Sequence, residues 1–99
     1  MNIINQNKET IKNLCETHNV EKLYLFGSAT TSSFNEKSDI DFLVKFKSFD
    51  LKLYFINYID LKNKLKNLLN REIDLVEEQT LKNPYLISSI EENKELIYG

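Results

Sequence analysis

Only three residues in this chain of 99 are strong backbone breakers: Gly27, Pro84 and Gly99. A chain so poor in breakers has little room for long loops, so most of it must enter helices or strands. No repeat, low-complexity tract or linker divides it, and its length fits one domain spanning residues 1–99.

Periodicity assigns the pieces. Asn2 to Asn19 carries Ile4, Ile11, Leu14, Cys15 and His18 at three- and four-residue steps, the pattern of an amphipathic helix. "KLYLFG", ending at Gly27, reads as a short strand. The small hydroxylated residues behind it predict a short helix starting at Ser28. "SDIDFLVKF", Ser38 to Phe46, is a second strand. Asp50 is placed to cap a helix from Leu51 to Leu69, with a stripe of Leu51, Tyr54, Phe55, Tyr58, Leu61, Leu65 and Leu68. "REIDLVEE", Arg71 to Glu78, is a third strand, and Pro84 can open a last helix near Tyr85 to Asn93. Helices and strands alternate, which predicts an α/β domain.

Composition narrows the function. Charged residues make up 28%, the net charge is -2, and the sequence pI is about 5.4. That balance argues against binding nucleic acid by broad phosphate neutralisation. The single cysteine, Cys15, cannot form an internal disulfide and fits a reducing compartment. No apolar run approaches the roughly 18 residues of a membrane span. "MNIINQNKET" lacks the regions of a signal peptide, so the expected location is cytoplasmic.

The chemistry sits in "LFGSATTSSFNEKSDIDFLV". Asp39 and Asp41 are two residues apart in an apolar strand, so they project to the same side, roughly 6.6 Å apart. Two such carboxylates repel each other unless a cation lies between them. Hard oxygen donors suit Mg²⁺, which takes one or two carboxylates and completes its shell with water and phosphate. Asp74, in "EIDLV", occupies a matching setting. If its strand neighbours the first pair, three acids could hold two metal ions about 4 Å apart for phosphoryl or nucleotidyl transfer. Gly27 allows close approach of a ligand, and Ser28 with the following amides can bind phosphate oxygens. Together these parts suggest a nucleoside triphosphate bound with Mg²⁺.

Gly27-Ser28, ten residues, then Asp39-Ile40-Asp41 resembles the Gly-Ser…Asp-x-Asp signature of the DNA polymerase β-like nucleotidyltransferases. With "IDLV" and the closing "LIYG", the chain looks most like the minimal nucleotidyltransferases, the MNT antitoxins of MNT–HEPN toxin–antitoxin pairs. The resemblance implies a nucleotidyltransferase fold: a small mixed β-sheet of about three strands flanked by helices. It implies that Asp39, Asp41 and Asp74 are catalytic and bind metal, with two Mg²⁺ ions expected. It also implies that Gly27 and Ser28 bind the triphosphate of ATP. The implied reaction transfers AMP to a tyrosine of a HEPN ribonuclease toxin, silencing it within a toxin–antitoxin hetero-oligomer.

One position departs from the family pattern. Relatives often read "GSYARG", whereas this chain reads "GSATTS", with Thr31 in the place of arginine and Ser32 in that of glycine. Losing that arginine removes a charge-assisted phosphate contact. The nearest cations in sequence are Lys37, Lys45 and Lys47. This leaves an alternative: an MNT-like subunit with weak or no catalysis that neutralises its toxin by binding. A small-molecule nucleotidyltransferase is less expected, because such enzymes carry a further acceptor domain.

Other residues have plainer readings. Cys15 is expected in the core, and His18 at a helix end or on the surface. Tyr54, Phe55 and Tyr58 read as core, with an interface as the other option. Lys62, Lys64 and Lys66 read as a solvated helix face, and Glu72, Glu77 and Glu78 as a solvated edge.

Overall fold

The structure, a computed structural model, describes residues 2–27 and 38–99. In chain order these form α1 (Asn2–Gln6), α2 (Lys8–Thr17), β1 (Val20–Phe26), β2 (Ile40–Phe46), α3 (Leu51–Leu69) and β3 (Ile73–Glu77). A 3-10 turn at Glu78–Thr80, α4 (Pro84–Asn93) and β4 (Glu95–Tyr98) follow. The short helix expected from Ser28 lies outside the described residues.

The single first helix expected from periodicity is two. The Asn7 side chain donates to the Ile3 carbonyl at 2.8 Å, and such a local bond competes with the helical ladder. Asn7 accordingly leaves helical geometry, with φ -112° and ψ 16°. The later caps follow the sequence. Asp50 accepts from the Lys52 amide at 2.9 Å, and Asn83 does the same for Tyr85, with Pro84 opening α4. Asn70 ends α3 in the left-handed region at φ 53°, a conformation asparagine tolerates.

The described strands form one mixed sheet in the order β3-β2-β1-β4. β1 runs antiparallel to both β2 and β4, while β3 runs parallel to β2. A parallel neighbour needs a crossover, and α3 supplies it. Among the described residues the sheet thus has four strands rather than about three. β4 was missed because it is a four-residue run, too short to show a clear period, at a sheet edge where Glu95 and Leu96 stay exposed.

Alternation along β2 separates the two faces. Ile40, Phe42 and Val44 are buried against Ile11 and Cys15 of α2 and against Leu61, Leu65 and Leu69 of α3. Burial pushes the Cys15 thiol up to about 12, as expected of a packed, inert cysteine. On the opposite face Leu43 is buried too, and Ile90 of α4 is buried above that side. The ammonium of Lys94 lies 4.3 Å from the Tyr24 ring centre on this face and pairs with Glu91.

The first half of α3 departs from the expected stripe. Tyr54 and Tyr58 pack against the core, but Leu51 and Phe55 are exposed. No described residue buries these two side chains. Lys64 and Lys66 are half-exposed, as a solvated face requires, and pair with Asp60 and Glu72.

His18 sits at the end of α2 as expected, but it is buried rather than on the surface. Its Nδ1 lies 2.7 Å from the Leu14 carbonyl and its Nε2 lies 2.7 Å from Asp60 Oδ2. Asn57 donates to the His18 carbonyl at 2.7 Å, tying α2 to α3. The bond from His18, then that from Lys64, holds the Asp60 carboxyl below its ordinary value. A depressed carboxylate contributes stability above its unfolded pKa and loses it as pH falls through the folded one. Asp60→Asn is therefore expected to lower Tm by about 2–5 °C near pH 7. The gap should shrink as pH falls below the ordinary carboxylate value, which a series of thermal melts would check. No helix among the described residues is long and apolar enough to cross a membrane.

Candidate active site at the carboxylate edge

β2 is an inner strand, and its residues 41–44 have a paired neighbour on both sides. Asp41 is paired with Phe26 of β1 on one flank and with Asp74 of β3 on the other. Asp39 stands just before β2, two residues from Asp41 and therefore on the same face. Asp39 and Asp74 are exposed while Asp41 is half-buried. The fold thus brings the three acids picked out in the sequence to one end of the sheet, although Asp74 is remote in the chain.

Their proximity has an electrostatic signature. Burial, then the charge of Asp74, then that of Asp39, push the Asp41 carboxyl above its ordinary value of 3.8. Among the described residues, no three His, Cys, Asp or Glu side chains form a group that could hold a metal ion as they stand. The acids share an edge without closing into a cage.

Gly27 immediately follows β1 and is held at φ +71°. A Cβ at this position would lie 2.2 Å from Asp41 Oδ2 and 3.2 Å from its Cγ. Both the backbone conformation and the closeness of Asp41 thus require glycine. Ser28, the other half of the expected phosphate cradle, lies outside the described residues, as do Thr31, Ser32 and Lys37. Of the remaining sequence-near cations, Lys45 lies roughly 13 Å along the strand from Asp41. It pairs with Glu21 at 3.1 Å. Lys47 lies past the far end of β2.

Two other cations, Lys66, read above as part of a solvated face, and Arg71, line a cavity beside Asp39. The cavity, of about 420 Å³, is lined by Ser38, Asn70 and Glu72 as well. Arg71 donates from Nη1 to the Ser38 carbonyl at 3.1 Å, and Lys66 pairs with Glu72 at 2.9 Å. Arg71 is the one arginine in the chain and directly precedes "EIDLV". That adjacency was the available signal, but it acquires meaning only when β3 lies parallel to β2 and both strands begin at the same end. Glu72 is exposed as expected, whereas Glu77 and Glu78 are half-buried. Tyr58 was also overlooked here: its hydroxyl donates to the Leu75 carbonyl on β3. Burial, then the charge of Asp74, raise that hydroxyl above its ordinary value.

Comparison with known proteins agrees with this geometry. A family model described as "Polymerase beta, Nucleotidyltransferase" matches residues 9–99. A chain of Methanocaldococcus jannaschii named as a protein adenylyltransferase is 38% identical over 96 residues, covering 97% of this chain and 90% of its own length. A solved structure named as a minimal nucleotidyltransferase has a TM-score of 0.77 at 27% identity, with 93% of this chain and 90% of that one covered. A toxin–antitoxin structure with AMP-PNP has a TM-score of 0.71 at 25% identity, covering 94% and 73% of the two chains. The fold is also that of a complex between a tri-AMPylated HEPN toxin of Shewanella oneidensis and an MNT antitoxin. There the TM-score is 0.65 at 23% identity, with 96% and 71% of the two chains covered.

Proposed function

The chain belongs to the polymerase β nucleotidyltransferase family, and from that premise we propose that it is an antitoxin that transfers AMP from ATP to a tyrosine of a HEPN-type toxin. The observation that carries the reading is the register of Asp41 opposite Asp74, with Gly27 packed against Asp41. Kinship to a chain named as a protein adenylyltransferase supports the reaction class, and the toxin–antitoxin neighbours support the partner.

In the proposed reaction the acceptor hydroxyl oxygen attacks the α-phosphorus of ATP. A bond forms between that oxygen and phosphorus, the bond to the bridging oxygen of the β-phosphate breaks, and pyrophosphate leaves. Asp74 takes the hydroxyl proton, Asp39 and Asp41 would hold the cation, and Gly27 and Ser28 bind the triphosphate. The donor chemistry fits Mg²⁺: three carboxylates, of which Asp41 already feels the other two. Mg²⁺ is rarely caged by protein alone and uses substrate phosphate to complete its shell, so an unclosed set of acids is compatible with it. Two such ions, when bound, would supply charge neutralisation at the transferring phosphoryl group. The cytoplasm is the proposed setting, with no direct role for nucleic acid.

The partner surface proposed for the toxin is the uncovered half of α3. Leu51, Phe55 and Ile56 there are 85%, 71% and 68% exposed. Contiguous apolar surface of this kind marks an interaction site. The groove beside it is lined by Tyr54, Phe55, Tyr58, Leu75 and Thr80, and so runs along β3, the strand that carries Asp74. Replacing Phe55 and Ile56 together with Ser is expected to weaken the toxin complex about 10-fold or more, with ATP binding intact. Titration with the toxin and with ATP separately would check both parts.

A second reading is favoured by one feature: "GSATTS" lacks the family arginine. In it, the chain neutralises the toxin by covering it. Mass spectrometry of the toxin after incubation with this protein and Mg-ATP separates the two. A mass increase of adenylyl units, absent with Asp39→Asn and Asp41→Asn, supports transfer. An unmodified toxin that is still silenced by the double variant supports simple binding.

A further inference from the structure

We infer that Arg71, assisted by Lys66, supplies the triphosphate contact that "GSATTS" has lost, from the cavity beside Asp39. The inference rests on the nucleotide reading above and identifies side chains that recognise the ligand's anionic part.

The cavity of about 420 Å³ is within the range of small-molecule sites. Its wall is polar and combines Asp39, a proposed metal ligand, with both cations. Arg71 is fixed by its 3.1 Å bond to the Ser38 carbonyl, one residue from Asp39. A guanidinium has five N–H donors in a planar fork, the geometry that suits phosphate oxygens. Lys66 is paired with Glu72, but both side chains are about half-exposed or more. Such a surface pair contributes little, so an incoming phosphate can take Lys66 from Glu72 at small cost. A cation in this position also offsets the charge that Asp39 and the phosphates bring together. Arg71 stands two residues before β3, the parallel neighbour of β2, and lines the cavity beside Asp39.

The test measures binding of Mg-ATP, Mg-tripolyphosphate and adenosine to the full chain by calorimetry. Arg71→Gln is expected to weaken Mg-ATP and Mg-tripolyphosphate about 10- to 100-fold and to leave adenosine unchanged. Arg71→Lys should recover part of the loss, and Lys66→Gln, at an exposed side chain, should weaken both anions about threefold or more with an unchanged melting curve. Equal binding of Mg-ATP by wild type and Arg71→Gln would overturn the inference. So would a loss that extends equally to adenosine, because it would give Arg71 a merely structural role at Ser38. If Arg71→Gln fails to fold, unchanged anion binding in both Arg71→Lys and Lys66→Gln overturns it. A wild-type protein that binds neither Mg-ATP nor Mg-tripolyphosphate would instead sink the nucleotide reading, and this inference with it.

Discussion

Asp41→Asn is expected to lower AMP transfer about 1000-fold or more while raising the Tm of the metal-free protein by a few degrees. The two effects share a cause. Asp41 is half-buried on an inner strand, and its ionised form is opposed first by burial, then by Asp74, then by Asp39. An acid whose folded pKa is raised binds more protons folded than unfolded, so stability falls as pH rises through that interval. Asparagine never ionises and escapes the cost. The stability gap between variant and wild type should therefore be near zero below the ordinary value of 3.8 and open as pH rises. Melting curves from pH 3 to 8 in chelator would show it. Adding Mg²⁺ and a non-hydrolysable ATP analogue should stabilise wild type more than the variant and narrow the gap. A variant less stable than wild type at pH 7 in chelator would contradict this account of Asp41.

Gly27→Ala is expected to lower Tm by about 5–15 °C and transfer by about 100-fold. Two costs combine. A φ of +71° is unfavourable for any residue with a Cβ, at about 1–2 kcal/mol. The new methyl would also lie 2.2 Å from Asp41 Oδ2, so the carboxylate must move. The second cost is separable by a double-mutant cycle. In an Asp41→Ser background the longer carboxylate is gone, and Gly27→Ala should cost only the backbone part. Additive effects across the cycle would mean that the alanine and the Asp41 carboxylate do not meet.

The core of the fold and the shared side of Asp39 and Asp41 were legible because each follows from a short-range rule. Alternation in "SDIDFLVKF" placed Asp39 and Asp41 on one side of the strand, and the cap at Asp50 and the proline at Pro84 fixed two helix starts. The parts that escaped depend on distance in the chain or on local competition. Asn7 breaks the first helix through its own side chain, which apolar periodicity does not register. His18 is buried because α3 brings Asp60 and Asn57 to it. Phe55 fits the helical stripe, yet it stays exposed because no described element covers it. Arg71 and Lys66 become neighbours of Asp39 only through the parallel pairing of β3 with β2.

That parallel pairing also has a temporal consequence. Asp41 and Asp74 meet across one ladder step, but the whole of α3 intervenes between their strands. The antiparallel pair β1 and β2 is closer in sequence and can form earlier, whereas a crossover must bear its loop-closure entropy before the strands reward it. The third carboxylate is thus the last to arrive as the chain collapses. A growing polypeptide that has made β1 and β2 carries two of the three acids, and gains Asp74, the proposed general base, only when α3 has docked and β3 has zipped alongside. Competence for the proposed transfer is coupled in this way to the docking of β3.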